Sequence, residues 1–404
     1  MTDTTAVQKP ISQTEFVAIM AMLFATIAIS IDAMLPALPD IAAALTPDAP
    51  NNAQLVVTSF VFGMGLGTLF AGPLSDAFGR KRIIMLGSAL YAVAALACYF
   101  ATSLEMLLIA RVVQGIGAAA PRTVSIAMIR DLFSGRGMAK IMSFVMMVFT
   151  VIPAVAPLMG QGIIALADWH AIFLAYIAFS AVIMLWMGLR QPETLPVTQR
   201  RPLNIGTLWA ATRELGGYRV VVISTLVQAL TLAALFGTLS SMSGIFEVRF
   251  DRADSFPLWF AFIAVGSMSG SLLNSRIVMS LGMRRVITGT LAAQLCLTIL
   301  FLAAIASGLM PEVLAFPAHI LWSIGLFSMM GLTMGNLNAL AMEPVGHIAG
   351  LAASVISCLA TVGSVLLAIP VGLAFNGTVV PLLTGVTVLI AAALALMRYG
   401  LPAR

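Results

Sequence analysis

Charged residues are scarce in this chain of 404 residues. Asp, Glu, Lys and Arg together make up 9% of it, whereas soluble domains carry about 25%. Hydrophobic residues account for 60%, and the mean hydropathy is +1.04. The apolar runs are too long and too numerous for buried core helices, which rarely exceed about 14 residues without a polar break. The composition excludes a soluble protein and indicates an α-helical chain that crosses a membrane many times.

Cysteine and histidine are also few, with three of each. The cysteines all lie inside apolar runs, which excludes a disulfide framework. The histidines are isolated and lack the spacing of metal ligands. The chain has no Gly-rich phosphate loop followed by Lys and Ser or Thr, so ATP is excluded as an energy source. We therefore expect no metal and no cofactor. The residues concerned are Cys98, Cys296, Cys358, His170, His319 and His347.

The apolar runs divide into twelve predicted membrane spans, and the basic residues indicate their orientation. Twelve spans with both ends in the cytoplasm place 17 of the 21 Lys and Arg residues on the cytoplasmic side, two outside and two within spans. Because positive charge favours the cytoplasmic side, this asymmetry predicts cytoplasmic termini. The predicted spans are 16–38, 52–75, 83–102, 104–128, 140–165, 170–189, 219–245, 256–275, 286–307, 313–338, 349–374 and 379–397.

A short polar stretch, Gly72 to Arg82, separates the second and third predicted spans. Gly72 and Gly79 suit a close approach or a sharp turn, Asp76 supplies a carboxylate, and Arg80 begins a run of three cations. The spacing Gly-x-x-x-Asp-x-x-Gly-Arg-Lys resembles the signature between the second and third helices of the major facilitator superfamily. By this resemblance, a conformational latch is formed by Gly72, Asp76, Gly79 and Arg80. The alternative is a loop whose basic residues only set orientation.

The longest polar connection, 190–218, divides the chain into an N-terminal half, 1–189, and a C-terminal half, 219–404. The resemblance implies the major facilitator fold: an all-α membrane protein with two pseudo-symmetric six-helix bundles and a substrate site between them near mid-membrane. A second, degraded copy of the signature has Asn in place of Asp, and its Asn274 and Arg284 are predicted to belong to the latch. This copy comprises Gly270, Asn274, Gly282, Arg284 and Arg285.

Three formal charges lie well within the predicted spans: Asp32, Arg111 and Arg122. At 1.5 Å per residue, Asp32 lies about 24 Å from the cytoplasmic end of its span, and Arg111 lies about 10 Å from the outer end of its own. Both therefore fall in the outer half of the membrane. Charged groups at such depth are functional candidates by default, with a structural ion pair as the alternative. Arg122 lies near the cytoplasmic end, where we expect it to anchor the helix.

The sequence around these charges resembles one particular group of transporters within the superfamily. Residues 32–39 read Asp-Ala-Met-Leu-Pro-Ala-Leu-Pro, 111–117 read Arg-Val-Val-Gln-Gly-Ile-Gly, and 130–133 read Arg-Asp-Leu-Phe. These segments resemble drug:proton antiporters of the bicyclomycin/chloramphenicol resistance (Bcr/CflA) type. By this resemblance, Asp32 is a protonation and cation-binding site, and Arg111 and Gln114 couple proton movement to it.

The fifth predicted span keeps only Pro157 and Gly160 of the glycine-rich motif that the antiporters carry there. Pro153 and Pro157 are expected to kink this helix. Because this chain lacks the other glycines of the antiporter motif, import remains an alternative to export.

Polar and aromatic residues within other spans are candidates for a substrate cavity. Buried amides favour a cavity because they have four bonding positions to satisfy, whereas a single Ser or Thr more often joins helices together. Aromatic residues contribute apolar contact area for drug-like molecules, although packing is the alternative. The predicted cavity residues are Asp32, Phe60, Phe62, Gln228, Thr231 and Asn336.

These features predict a proton-coupled secondary transporter that exports drugs or small amphipathic metabolites by alternating access, most simply as a monomer in a bacterial inner membrane. Its partners are a small molecule, protons and the bilayer, without nucleic acid, and the proton gradient takes the place of a cofactor. A proton-coupled importer or a dedicated metabolite exporter is the first alternative. A membrane enzyme or receptor is the second, but no paired carboxylates or nucleophile–base set lies at one depth. Glu343 is the next candidate for a proton carrier.

Overall fold

A computed structural model describes residues 11–203 and 205–401, and within these ranges the regular structure is entirely helical. Lys9 and Arg404, two of the predicted cytoplasmic cations, lie outside the described residues. The α-helices are α1 Gln13–Asp32, α2 Leu38–Leu45, α3 Leu55–Phe78, α4 Arg80–Tyr99, α5 Leu104–Leu132, α6 Gly135–Leu166, α7 Ala171–Arg190, α8 Ile205–Gly217, α9 Arg219–Gly244, α10 Phe256–Leu281, α11 Met283–Ala306, α12 Glu312–Met342, α13 Ala349–Leu373 and α14 Val380–Tyr399.

Eleven helical stretches of the described chain are long and apolar enough to span a membrane. One of them covers 62 residues, Glu312–Leu373. At 1.5 Å per residue it would measure about 93 Å as a single helix, roughly three times the hydrocarbon core. The backbone of Val345 is non-helical and breaks this stretch into α12 and α13. The count of twelve spans and the all-α fold class are therefore confirmed.

Two predicted elements differ in detail. The first span continues beyond Asp32 through a 3₁₀ turn, Leu35–Ala37, into α2, because Pro36 and Pro39 stand where backbone N–H groups would otherwise continue α1. The central connection, predicted as a loop, contains the 13-residue helix α8.

The helix pairs of the first half recur in the second. In the first half α1 packs on α6, α3 on α5, and α4 on α7. The equivalent spans of the second half pair in the same way: α9 with α13, α10 with α12, and α11 with α14. The halves meet through α3 against α13 and α6 against α10, which are again equivalent pairs. The sequence copies at Asp76 and Asn274 thus reflect a structural repeat.

The two halves are hydrogen-bonded to each other at the end predicted to face outward. The Asn51 side chain, just before α3, donates to the carbonyl oxygens of Leu373 at 3.0 Å and Phe375 at 2.7 Å, both at the end of α13. Ser241 of α9 donates to Gln54 Oε1 at 3.4 Å. These bonds cross between the halves, so the structure represents a state in which the outer end is closed.

Candidate functional site

A central cavity lies between the halves and holds about 1540 Å³ of empty space, its mouth included. Four helices of the first half line it (α1, α3, α5 and α6), and four equivalent helices of the second half complete it (α9, α10, α12 and α13). Apolar and aromatic side chains form most of its wall, with few polar groups among them. This is the usual composition of a site for a small amphipathic molecule.

Asp32 lies at the C-terminal end of α1 and faces the central cavity. Its side chain is 6% exposed, and none of the described residues forms a hydrogen bond or ion pair with it. α6 approaches closely here, because a Cβ at Gly160 would overlap the carbonyl oxygen of Ala33. Asp32 is therefore a buried carboxyl whose only open side is the cavity.

Arg111 lies behind this position and is fully buried. Its guanidinium donates to the carbonyl oxygens of Val56 at 3.1 Å and Ser30 at 2.9 Å, and to Gln114 Oε1 at 2.8 Å. It also stacks over the Phe60 ring, 4.5 Å from the ring centroid. These contacts join α1, α3 and α5, so Arg111 fixes the backbone two residues before Asp32 and does not pair with the carboxylate.

Two tyrosines extend this network. Tyr91 OH and Ser30 Oγ are hydrogen-bonded at 2.6 Å, and Tyr176 OH donates to the Ser30 carbonyl at 3.3 Å. Ser30 thus contacts α4, α5 and α7 at once. Neither tyrosine was predicted from the sequence, although phenols within apolar spans are a usable signal, because a buried hydroxyl requires a partner.

The structure places two of the six predicted cavity residues in the wall of the central cavity. Asp32 and Gln228 line the central cavity. Phe60 is fully buried beneath Arg111, and Phe62 packs partly buried against the core. Two others form hydrogen bonds away from the cavity: Thr231 donates to the Val227 carbonyl of its own helix at 2.6 Å, and Asn336 donates to Asn274 Oδ1 on α10 at 2.8 Å. Packing holds Phe60 and Phe62, a bond within α9 holds Thr231, and a bond to α10 holds Asn336.

Arg122 was expected to anchor the cytoplasmic end of its helix, and the structure adds a position that the sequence did not predict. Its side chain lines the central cavity, as does Asp32. It also lines a second cavity, which extends past Asp76, Arg80 and Arg130 toward the predicted cytoplasmic side. Arg122 therefore stands where the two cavities adjoin.

The predicted latch residues of the first half form a compact polar cluster. Gly79 has φ +103°, which allows α3 to end and α4 to begin at one residue. The Arg80 guanidinium donates to Asp76 at 2.5 Å, Ser75 at 2.6 Å and Asp131 at 3.0 Å. The α3–α4 connection is thereby tied to the end of α5.

Two further contacts place this cluster next to the central connection and the other half. Glu193 accepts from the backbone N–H groups of Arg80 at 2.9 Å and Lys81 at 3.1 Å, and so caps α4. Gly72 faces α13, where a Cβ would lie 3.2 Å from Ser354 Oγ. A side chain at Gly72 would press directly on the opposite half.

The second copy of the signature is arranged differently. Asn274 on α10 bonds to Asn336 on α12, so the amide joins two helices of the same half. Gly282 has φ +81° and separates α10 from α11 as Gly79 separates α3 from α4. Arg284 and Glu343 line a pocket at the same end. The second copy thus keeps the glycine turn between its two helices, and its Asn274 joins α10 to α12.

Pro153 and Pro157 both lie inside the continuous helix α6, and Pro153 lines the central cavity. Neither proline can donate the usual backbone hydrogen bond, so the helix carries two local gaps in its ladder at the cavity wall.

A sequence profile of the Major Facilitator Superfamily matches residues 18–368. The chain belongs to this superfamily. It is 33% identical over 270 residues to the bicyclomycin resistance protein homolog of Haemophilus influenzae, a match covering 65% of this chain and 66% of that one. It is 28% identical over 351 residues to a chloramphenicol resistance protein of Pseudomonas aeruginosa, covering 84% and 78%. The resemblance to the bicyclomycin/chloramphenicol resistance type is confirmed.

A solved major facilitator structure has the same fold. The D-xylose-proton symporter superposes with a TM-score of 0.77 at 14% identity, over 96% of this chain and 98% of that one. This superfamily member is thus a multi-pass membrane transporter for small molecules.

Proposed function

We propose that this superfamily member exports drugs or small amphipathic metabolites in exchange for protons across a bacterial inner membrane. The observation that carries the proposal is Asp32, a buried carboxyl without a partner among the described residues that opens only into the central cavity. Such a group can bind either a proton or a substrate, as exchange requires. Resistance proteins among the relatives support export.

Arg111 and Gln114 act in this scheme as positioning residues. Arg111 holds the end of α1 through the Ser30 carbonyl, so a change at Asp32 acts on the same segment that Arg111 fixes. The cluster around Arg80 and Asp76 biases the equilibrium between inward- and outward-facing states. Because such states differ by only a few kcal/mol, one polar cluster is sufficient to shift their populations.

The protein works as a monomer with both termini in the cytoplasm, without a cofactor and without an enzymatic reaction. The basic asymmetry of the loops supports the orientation. The proton gradient provides the energy.

Export is tested by expression in an efflux-deficient host against a panel of antibacterial compounds, followed by vesicle transport of the compound that the panel identifies. In inside-out vesicles, an acid interior should drive uptake of that compound, and dissipating the pH gradient should stop it. An importer coupled to protons would instead drive uptake into right-side-out vesicles under an acid exterior. The fold neighbour that is a proton symporter makes this second arm necessary.

A further inference from the structure

Arg122 is a cation in the wall of the central cavity, and it has no role in the proton exchange proposed for Asp32. It follows Arg111 on α5 by eleven residues, about 16 Å along the helix. Arg111 is fully buried and bonded, whereas Arg122 is exposed to the cavity. No described residue accepts a hydrogen bond from the Arg122 guanidinium. The five N–H donors of this side chain are therefore available to a ligand.

A second donor without an acceptor lies across the cavity. Gln228 on α9, in the other half, is 4% exposed, and its Nε2 has no hydrogen-bond partner in the described structure. A buried amide donor is costly when it is unpaired. Arg122 and Gln228 thus line, from opposite halves, a cavity whose described lining has a single acid, Asp32.

Most of the remaining wall is apolar, although Asn338 and four hydroxyl side chains also line it. Phe236, Phe260, Phe327 and Met330 line the second half of the cavity, and Phe149 lines the first half. A ligand that packs against this wall needs an apolar or aromatic body. A ligand that pairs with Arg122 needs an anionic group. Guanidinium groups bind carboxylates with two parallel hydrogen bonds, which adds both strength and orientation.

We propose that the central cavity binds amphipathic molecules that carry a carboxylate or a similar anionic group, held by Arg122. Gln228, after rotation of its buried amide toward the cavity, donates to a second acceptor atom of the same molecule. The part that reaches Asp32 is neutral or cationic, since an anion there would meet the carboxylate. The class comprises amphipathic anions and zwitterions oriented with the anionic end toward the predicted cytoplasmic mouth. This inference rests on the proposed transport function and names its substrate class.

The test compares two fluorescent probes that differ in one group: dansylglycine, which has a carboxylate, and dansylglycinamide, its neutral amide. Each is titrated into the purified full chain in lipid nanodiscs, with empty nanodiscs as the blank. Because a hydrogen bond to a charged group is worth about tenfold in affinity, the parent protein should prefer dansylglycine by about tenfold. Arg122→Gln should remove that preference and leave dansylglycinamide binding unchanged. Arg122→Lys should keep part of it.

Arg136→Gln is the matched control, since it removes the same charge from an exposed position in the first turn of α6. Its preference should equal that of the parent. Equal affinity of the two probes for the parent protein would overturn the proposal without any variant, and so would a full preference in Arg122→Gln. Binding is measured here without a proton gradient. A protein that discriminates the probes through Arg122 yet shows no proton-driven transport would refute the proposed exporter and leave this site standing.

Discussion

Among single residues, Asp32 and Arg111 differ in their surroundings, although the sequence predicts proton coupling for both. Asp32 opens to the cavity without a partner, while Arg111 is fully buried and bonded to two backbone carbonyls and Gln114. A carboxyl that faces a solvent-accessible cavity can exchange protons, and a sealed guanidinium cannot leave its site without leaving carbonyls unpaired. We therefore propose that Asp32 carries the proton and that Arg111 supports the end of its helix.

Asp32→Asn should abolish proton release when substrate is added, because the amide keeps the size of the carboxyl but cannot lose a proton. Neutral substrates should still bind. Asp40→Asn is the control, since Asp40 lies on α2 eight residues further on and is exposed. The measurement is the pH of weakly buffered purified protein during addition of the compound that the resistance panel identifies. Proton release in Asp32→Asn equal to that of the parent would move the proton carrier elsewhere, with Glu343 as the next candidate.

Arg111→Ala should lose both coupling and stability, whereas Arg111→Lys should retain part of the coupling. The alanine variant leaves the Val56 and Ser30 carbonyls without their donor, and each hydrogen bond from a charged group contributes about 1.5–3 kcal/mol. Lysine keeps the charge but cannot reach both carbonyls and Gln114 at once. Thermal unfolding in detergent and vesicle transport check the two effects separately. A fully stable Arg111→Ala protein would contradict the assigned support role.

At the scale of elements, the connection between α3 and α4 joins three helices through one guanidinium. Asp76→Asn and Arg80→Ala should leave the protein inserted in the membrane but slow transport severely, because they remove bonds among α3, α4 and α5. Arg82→Ala is the matched control: Arg82 is exposed, lies two residues away and carries the same charge. Transport rates and membrane abundance are measured together. Near-normal transport in Asp76→Asn would reduce this stretch to an orientation signal.

The contact between α3 and α5 depends on a glycine. A Cβ at Gly115 would overlap the Phe60 carbonyl oxygen, so the two backbones must separate if a side chain is added. Gly115→Ala should therefore destabilise the fold by about 1–3 kcal/mol, the usual range for overpacking. Gly162→Ala on α6 is the control, since nothing lies within 4 Å of a Cβ there. Thermal unfolding of both variants decides the matter, and an unchanged Gly115→Ala protein would contradict the close packing.

Across the whole molecule, three helix pairs in the first half have equivalents in the second. The two interfaces between the halves are equivalent to each other as well. This repeat places the central connection, with α8, at one face of the membrane. A reporter enzyme fused after Arg200 should be active in the cytoplasm, and one fused after Asn376 should be active in the periplasm. The basic asymmetry of the loops is the physical reason. The reverse location of either reporter would overturn the twelve-span topology.

Much of this architecture follows from the sequence by itself. The length and number of the apolar runs determine a helical membrane protein, because backbone polar groups in lipid must be bonded within the segment. The short signature from Gly72 to Arg82 identifies the superfamily, since its turn and its charges are local and are fully present in the sequence. Asp32 and Arg111 are recognisable because charges are so rare within the spans.

Which side chains face the cavity depends on how the helices pack together. Helical periodicity gives the relative direction of residues on one helix, but the rotation of each helix about its axis is set by packing against its neighbours. For that reason Thr231 is bonded within its own helix and Asn336 to a neighbouring one, while Arg122, expected to anchor the end of its helix, lines the cavity. The same packing buried Arg111 among backbone carbonyls and left Asp32 facing the cavity. This difference in exposure could not be predicted from the charge of the two residues or from their positions along the spans.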